Sequence, residues 1–410
     1  MLIVQYGPSE LVMRIVLIAD TYPPMRSSGA VQLRDLSLEM VRQGHKPTVM
    51  IPAPEINQPW LLEDIGGVQV LRLKAPKTKD IDYIRRTIGE FLMPFAMLRS
   101  LRKSPLSDVC WDGVVWYSPT IFLGPIANAL KKASECRSYL IIRDIFPEWA
   151  VDMGLLGRGL PYRFFKAIER YQYSVANVIG VQTPANLPYF DAWVTRYGRQ
   201  VEVLQNWLAD APDTGCSIKV TETPLAGRTI FVYAGNMGAA QGMDILLELA
   251  ERLQNIKEIG FLFVGRGSDA RRLRIDASAR RLENVLFFDE IDPNEVPGLY
   301  AQCNVGLVAL DPRHKTHNIP GKFLSYMLAG LPVLASVNSG NDLVGLIEKE
   351  MVGQVCTDTS VDALETKALS LVSDIMIDED FEKRCKGLAS RLFSPQSAVA
   401  QIVEACGLDG

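Results

Sequence analysis

One lysine, Lys322, lies in the stretch of this chain that is best suited to bind a negatively charged ligand. It follows a polar segment with Pro320 and Gly321 and opens an amphipathic helical pattern. A helix that begins after such a loop directs backbone N–H groups and its positive dipole end at one point, where the Lys322 ammonium adds its charge. Gly330 suits the left-handed residue that ends a helix, and Pro332 prevents its continuation. These residues favour a phosphate-bearing substrate.

Two glycine-containing loops each follow a predicted strand and precede a predicted helix. The first loop offers close backbone approach and neutral side-chain donors through Gly235, Asn236, Gly238, Gln241 and Gly242. The second loop carries Arg266, whose guanidinium suits bidentate contact with phosphate. Each loop has a simpler alternative, a glycine turn without a ligand for the first and a surface arginine for the second. Because parallel strands end at one sheet edge, both loops and Lys322 are predicted to converge.

Two carboxylates follow a predicted strand in the N-terminal half. Asp144 and Glu148 come after the apolar run 138–142, and the order of elements places both toward a ligand cleft as candidate catalytic residues. Capping of a helix N-terminus explains the pair almost equally well. The loop 22–30 after the first strand lacks Gly-x-Gly-x-x-Gly, and no Gly-x-x-x-x-Gly-Lys-Ser/Thr occurs. The dinucleotide fingerprint and the P-loop are therefore missing.

No metal site is expected from the sequence. The seven cysteines are scattered without a Cys-x-x-Cys pair, which predicts reduced and mostly buried thiols, and there are three histidines. Asp80–Asp82 and Asp378–Asp380 mimic an Asp-x-Asp metal motif. Both lie in polar surroundings without a preceding apolar strand, so we interpret them as solvated helix starts.

Short apolar runs alternate with helical patterns along both halves of the chain. Strands are predicted at 14–20, 48–52, 68–73, 113–117 and 138–142, with a helix over 30–43. The pattern restarts after residue 206, with strands at 229–234, 260–265, 284–288, 305–309 and 332–335. This alternation predicts an α/β protein of two Rossmann-like, doubly wound domains that face a central cleft. We expect the domains to cover 13–205 and 206–390, with a C-terminal helix over 391–410 that packs back on the first.

The composition is that of an ordinary soluble globular protein. The chain has 410 residues, of which 48% are hydrophobic and 22% charged, and it is too long for one core. A formal net charge of −4 argues against binding of nucleic acid, which needs a basic face. No apolar run reaches the roughly 18–20 residues that span a bilayer, and the N-terminus lacks a signal-peptide pattern. We therefore expect a cytoplasmic protein.

One segment, 82–103, interleaves apolar residues with five Arg or Lys residues. A basic amphipathic helix of this kind can lie on an anionic membrane surface, and 162–166 extends the pattern. The commoner alternative is a helix that packs on the core and exposes only its charged face. A membrane-bound acceptor would reverse that preference and place the protein on the inner face of the cell membrane.

Together these motifs resemble the GT-B fold glycosyltransferases of retaining family 4. The resemblance covers the chain from residue 13 and rests on the loop containing Gly29, the glycine loop 235–242, Val264 with Gly265, and 320–333. More narrowly, 143–148, 181–186 and 317–326 are similar to bacterial O-antigen and capsule enzymes that transfer N-acetyl-fucosamine. The resemblance implies a UDP-sugar donor bound mainly by the second domain. It implies a polyprenyl-diphosphate-linked sugar acceptor presented by the first.

Carried onto this sequence, the resemblance also implies a set of site residues. Donor contacts beyond the glycine loop would come from Arg266, His317, Lys322 and Ser325. Acceptor contacts would come from Gly29 and Arg143. The negative charge of the diphosphate would be neutralised by Arg266 and Lys322, together with backbone N–H groups.

The sequence departs from the family pattern at five of these positions. His317 and Ser325 stand where the family commonly has two glutamates. Asn236 and Gln241 replace the usual arginine and lysine of the glycine loop, and Arg143 replaces a histidine.

The resemblance implies transfer with retention and without a protein nucleophile, in which fixed cations replace a metal. Two alternatives remain open. A non-hydrolysing UDP-sugar 2-epimerase has the same architecture but needs several carboxylates and histidines as acid–base groups. A non-catalytic, membrane-docked scaffold of polysaccharide assembly is compatible with the loss of both glutamates.

Overall fold

The computed structural model describes residues 12–407, apart from 26, 212, 239–240, 312–318 and 359. The chain divides into two units, Met1–Trp207 together with Pro395–Gly410, and Leu208–Ser394. The last helix, α14 (Pro395–Gly407), belongs to the first unit, where Gln401 Nε2 donates to Val203 O at 3.0 Å.

Within the described residues, the sheet of the first unit has eight strands. They are β1 (Arg14–Ile18), β2 (Lys46–Pro52), β3 (Trp60–Ile65), β4 (Val68–Leu73), β5 (Gly113–Ser118), β6 (Arg137–Ile142), β7 (Val178–Val181) and β8 (Gln200–Val203). Their spatial order is β3-β4-β2-β1-β5-β6-β7-β8, and β3 is the antiparallel edge strand. Chain order reverses between β1 and β5, which is where doubly wound sheets bind ligands.

Helices cover both faces of this sheet, which explains why β1 and β5 consist almost entirely of buried residues. The helices are α1 (Ser28–Arg42), α2 (Tyr83–Leu101), α3 (Gly124–Ser134), α4 (Glu148–Asp152), α5 (Leu160–Val175) and α6 (Asp191–Tyr197). A 3₁₀ helix at Pro184–Phe190 precedes α6. The polar residue Asp82 caps α2, because its carboxylate accepts from Arg85 N at 3.0 Å.

The sheet of the second unit is wholly parallel. Its strands are β9 (Thr229–Ala234), β10 (Ile259–Val264), β11 (Val285–Phe288), β12 (Val305–Ala309), β13 (Val333–Ser336) and β14 (Gly353–Cys356). The order β11-β10-β9-β12-β13-β14 is the 3-2-1-4-5-6 arrangement of dinucleotide-binding folds. The switch point lies between β9 and β12.

Seven helices of the second unit lie between and after these strands in the described part of the chain. They are α7 (Asp244–Arg252), α8 (Ala270–Ala279), α9 (Val296–Tyr300), α10 (Gly321–Ala329), α11 (Asp342–Glu350), α12 (Val361–Ile377) and α13 (Phe381–Leu392). Short 3₁₀ turns occur at Val220–Glu222 and Pro293–Glu295. Helix α10 ends at Gly330, whose φ is 78°, as predicted.

The predicted fold class is confirmed, since both units are Rossmann-like, doubly wound α/β structures. The predicted strands do not include β3, β7, β8 and β14, of which β3, β8 and β14 lie at sheet edges. At least half of the residues in each of these three edge strands are only partly buried or exposed, so the strands lack the apolar runs that mark the central ones. All seven cysteines are free in the structure, and five of them are buried, in agreement with the predicted burial of most thiols. No helix in the described ranges is both long enough and apolar enough to cross a membrane.

Candidate active site

The loops that follow β9 and β10 pack backbone against backbone. Met237 N donates to Arg266 O at 2.8 Å, and Asp269 N donates to Met237 O at 3.0 Å, so hydrogen bonding continues beyond the strands. Gly265 has a φ of 144°. A Cβ at this residue would lie 2.0 Å from the carbonyl oxygen of Gly235. Only glycine fits here, and the two loops form one closely packed layer at the carboxyl edge of the sheet.

Tyr326 anchors helix α10 over the switch point of the second unit. Its hydroxyl lies 3.0 Å from Val232 O in β9 and 3.2 Å from Leu307 O in β12. Gly306 in β12 makes room for the ring, because a Cβ there would lie 2.4 Å from it. The anchor fixes the first turn of α10, and with it Lys322, beside the end of β9.

Lys322 has only neutral hydrogen-bond partners among the described residues. Its Nζ donates to Gln241 Oε1 at 2.8 Å and to Tyr233 OH at 3.0 Å. The same nitrogen lies 4.4 Å from the centre of the Tyr233 ring. Desolvation lowers the pKa of Lys322 to about 7. An ammonium placed among neutral groups gains most from an anionic ligand, which supplies the missing opposite charge.

The glycine loop and the end of β9 together surround the Lys322 ammonium with the neutral side chains of Tyr233 and Gln241, and we call this group the cradle. Tyr233 OH donates to Asn236 O at 2.7 Å and so fixes the ring beneath the loop. Gly242 has a φ of 56°, and a Cβ there would lie 3.1 Å from Cα of Asp311, just after β12. The loop is thus held between β9 and β12, and this brings Gln241 to Lys322.

Three further predicted donor residues have distinct surroundings. The Asn236 side chain is exposed and lies over Gly238, where a Cβ would be 3.0 Å from Asn236 Nδ2. Ser325 lies one helical turn after Lys322 and donates to Gly321 O at 3.3 Å. His317 lies outside the described residues.

The charge of Arg266 is directed to the protein surface. Its side chain is 73% exposed, and its Nε lies 2.9 Å from Glu290 Oε2 just after β11. The backbone of Arg266 belongs to the packed loop layer, whereas its guanidinium forms a surface ion pair. Such pairs contribute about 0–1 kcal/mol, so an anionic ligand can compete with Glu290 for this arginine. The structure therefore brings Lys322, and not the Arg266 guanidinium, to the cradle.

In the first unit, Arg143 is buried at the end of β6. Its Nη1 donates to Leu204 O at 2.9 Å, and the guanidinium lies 4.6 Å from the centre of the Trp207 ring. Trp207 Nε1 donates to Gln32 O at 2.7 Å, and Gln32 Oε1 accepts from Tyr117 OH at 2.8 Å. This network holds the arginine near the switch point between β1 and β5.

Gly29 lies in the first turn of α1 and faces the same tyrosine. A Cβ at Gly29 would be 3.4 Å from Tyr117 Cε1. Burial raises the pKa of Tyr117 to about 12, and the charges of Arg143, Asp144 and Asp20 act on the same hydroxyl. The structure therefore gathers Gly29, Arg143 and Asp144 around Tyr117.

Glu148 has a different set of neighbours. It begins α4, and its Oε1 accepts from Tyr162 OH and from Lys166 Nζ, both at 2.9 Å. Burial alone would raise the pKa of Glu148, but these hydrogen bonds outweigh it and lower the pKa. Glu148 is the first residue of α4, so its negative charge lies in the first turn of the helix, while the N-cap residue Pro147 makes no side-chain hydrogen bond. The contacts favour a structural role that ties α4 to α5.

Within the described part of the chain, no three His, Cys, Asp or Glu side chains converge as a metal site. Asp82 caps α2 and Asp380 directly precedes α13, as interpreted from the sequence. Asp378 forms an ion pair with Arg384 at 2.7 Å.

Sequence reasoning does not find the tyrosines that position these groups. Tyr233 lies inside a buried strand and Tyr326 inside an amphipathic helix, where an aromatic residue is usually only part of the core. A signal exists for Tyr326, since it lies four residues after Lys322 on the same side of α10. No local pattern marks Tyr117 or Trp207.

Residues 228–374 match the model of a family described as "Glycosyl transferases group 1". This range begins just before β9 and includes the glycine loops, Arg266 and helix α10 with Lys322. The chain is a glycosyltransferase. The enzyme is 24% identical over 389 residues to the "Putative colanic acid biosynthesis glycosyl transferase WcaI" of Escherichia coli K12, covering 86% of this chain and 90% of that one. It is 26% identical to the "Probable glycosyltransferase WbjE" of Pseudomonas aeruginosa, covering 69% of this chain and 71% of that one.

Solved structures support the GT-B fold of this glycosyltransferase. Sucrose-phosphate synthase from Thermosynechococcus elongatus superimposes with a TM-score of 0.73 at 15% identity, covering 96% of this chain and 98% of that chain. Anabaena HepE in complex with UDP-glucose superimposes with a TM-score of 0.68 at 14% identity and the same coverage. At these identities the likeness concerns the fold.

Proposed function

We propose that this glycosyltransferase moves a sugar, with retention of configuration, from a UDP-sugar to a lipid-linked acceptor in bacterial O-antigen or capsule synthesis. The donor sugar in this proposal is N-acetyl-fucosamine or a related deoxy-aminosugar. The name of the Escherichia coli relative, a "Putative colanic acid biosynthesis glycosyl transferase", supports a role in polysaccharide synthesis, and the UDP-glucose complex of HepE supports a UDP-sugar donor. The acceptor is a polyprenyl-diphosphate-linked sugar, so the enzyme acts peripherally at the inner face of the membrane.

The single observation that carries this proposal is the position of Lys322. Its ammonium lies at the switch point of a Rossmann-like sheet, at the start of a helix and among neutral groups. A diphosphate bound there receives the lysine charge, the helix dipole and N–H groups of the glycine loop. The same groups stabilise the negative charge that develops on the departing phosphate.

The reaction breaks the bond between the anomeric carbon and the β-phosphate oxygen of the donor. A bond forms between that carbon and an acceptor hydroxyl oxygen, and the hydroxyl proton moves to the departing phosphate. The products are UDP and the extended acceptor. No protein nucleophile is required, and Lys322 is the proposed catalytic residue. In the first unit, Gly29 and Arg143 contact the acceptor, and the Asp144 carboxylate assists the transfer. Glu148 positions the loop that carries Asp144.

Thermal unfolding with nucleotide sugars tests this function. We expect UDP-sugars to raise the melting temperature of the whole chain, whereas GDP- and TDP-sugars at equal concentration do so less. Incubation of the protecting UDP-sugar with a lipid-linked sugar should then release UDP and lengthen the acceptor. Protection by no nucleotide sugar, or conversion of the UDP-sugar to an epimer without acceptor, would contradict the proposal.

Donor binding is expected to weaken as the pH rises above 7. The unliganded protein holds Lys322 with a pKa near 7, and a bound diphosphate favours its protonated form. Binding therefore takes up a proton above that pH, and the affinity falls by up to about tenfold per pH unit. Both phosphates of a UDP-sugar are diesters, so the ligand's phosphate charge stays constant over this range. Calorimetry between pH 6 and 8.5 should show this slope for the natural chain and a flat profile for Lys322→Met.

A further inference from the structure

One face of helix α2 exposes apolar side chains to solvent. Tyr83, Ile84, Ile88, Phe91, Leu92 and Phe95 are between 44% and 86% exposed. Ile84, Ile88, Phe91 and Phe95 follow one another at three- or four-residue steps, so they lie on one side of the helix. The opposite side is the one that packs on the core, through residues such as Met93, Met97 and Leu101. The helix is thus apolar on both sides, and its outer side has no cover within the described residues.

Helix α5 extends the same surface. Phe164 is 41% exposed, and its ring centre lies 6.1 Å from that of Phe91 on α2. Leu160 at the start of α5 is 78% exposed, and Leu155 before it is 72% exposed. We call the outer sides of α2 and the start of α5 the α2–α5 face. An exposed apolar patch of this extent marks a binding surface.

Cations surround the α2–α5 face. Five Arg or Lys residues and two acids occur in 82–103, and the acids Asp82 and Glu90 form ion pairs with Arg85 and Arg86. Three Arg or Lys residues and no acid occur in 155–166, in a chain whose net charge is −4. Arg99 and Lys103 continue the apolar stripe of α2 beyond Phe95 at four-residue steps. They line an open pocket of about 440 Å³ together with Lys74. Within the described ranges, no carboxylate forms an ion pair with Arg99 or Lys103.

We propose that the α2–α5 face docks on a bilayer of anionic phospholipid, with a lipid phosphate in the basic pocket lined by Arg99 and Lys103. An apolar stripe inserts among acyl chains while flanking cations bind phosphates, which is the complementarity that this face offers. A second copy of the chain fits worse, because a symmetric contact would bring the same cations together. The inference rests on the proposed function in one respect, since docking is what presents a lipid-linked acceptor.

The docking helices are connected to the proposed acceptor residues. Lys166, one turn of α5 beyond Tyr162, donates to Glu148, which lies four residues after Asp144. Lys166 also forms an ion pair with the buried Glu169 at 2.9 Å. The helix that meets the bilayer therefore also holds the loop that follows β6.

Vesicle sedimentation of the full chain, without donor or acceptor, tests the docking. We expect binding to vesicles of phosphatidylcholine with one-third phosphatidylglycerol, and at least tenfold weaker binding to pure phosphatidylcholine or in high salt. Ile88→Ser with Phe95→Ser should weaken binding at least tenfold. Arg99→Gln with Lys103→Gln should weaken it roughly thirtyfold at low salt, since each cation near an anionic surface contributes appreciably.

Matched controls use exposed residues of the second unit. Ile275→Ser with Ile377→Ser and Lys257→Gln with Lys349→Gln should leave vesicle binding unchanged. UDP-sugar binding in solution should be the same in all four double variants, which separates a failure of docking from a failure of the proposed function. Equal binding to both vesicle types, or no effect of the α2 variants, would overturn the proposal. So would a dimer in ultracentrifugation that the same α2 variants dissociate.

Discussion

Replacing Lys322 by alanine is expected to lower kcat/KM for sugar transfer by at least tenfold. A charge-assisted hydrogen bond contributes about 1.5–3 kcal/mol, which corresponds to roughly 10- to 150-fold. If the ammonium stabilises the departing phosphate more than the bound donor, kcat itself falls. Steady-state kinetics at saturating acceptor separate these two contributions.

Two further variants separate this role from a structural one. Lys322→Met keeps the aliphatic stem but removes a desolvated charge, so the melting temperature should not fall although activity does. The sign follows from the lowered pKa: the unfolded chain binds the proton more tightly, so the charge opposes folding at neutral pH. Lys257→Met removes an exposed lysine of the same unit and should leave kinetics unchanged. Normal turnover in Lys322→Ala would discard the assignment.

Replacing Gly265 by alanine is expected to destabilise the second unit by about 3 kcal/mol or more. The new Cβ would lie 2.0 Å from Gly235 O on a backbone with a φ of 144°, so the two loops cannot both keep their positions. Calorimetry should show a melting temperature lower by roughly 6–12 °C. Donor affinity should fall as well, because the displaced layer includes the glycine loop.

Gly345→Ala is the matched control for this substitution. Gly345 lies in helix α11, and a Cβ there meets no atom within 4 Å. Alanine in a helix is more favourable than glycine by about 0.5–1 kcal/mol, so this variant should be slightly more stable than the natural chain. If Gly265→Ala melts at the same temperature as Gly345→Ala, the packed loop layer is not as described.

Much of the second unit's site follows from local sequence. Short-range patterns in the sequence define the buried strands that are followed by glycine and the helix between Gly321 and Gly330. The strands next to the site, both loops and the position of Lys322 could therefore be predicted. The cradle of neutral groups could not be predicted from the sequence, because Tyr233 and Gln241 approach Lys322 only through tertiary packing. The sequence contains no mark that distinguishes Tyr233 from a core aromatic.

The positions of charged side chains are harder to predict from the sequence than those of apolar side chains. The ion pair between Arg266 and Glu290 joins the ends of two neighbouring strands, and its formation depends on side-chain positions that no spacing predicts. The same holds for Glu148, whose partner Lys166 lies on the next helix. For helix α2, the apolar periodicity of the sequence suggests a face that packs on the core. Only the structure shows which of its apolar residues are exposed to solvent.

The central claim is that Lys322 binds the diphosphate of a nucleotide sugar. Calorimetric titration of one UDP-sugar into the natural chain and into Lys322→Met at pH 6.5 tests it most directly. We expect a dissociation constant at least tenfold larger for the variant, with an unchanged melting temperature in the absence of ligand. Equal affinity of the two proteins for the UDP-sugar would contradict the claim.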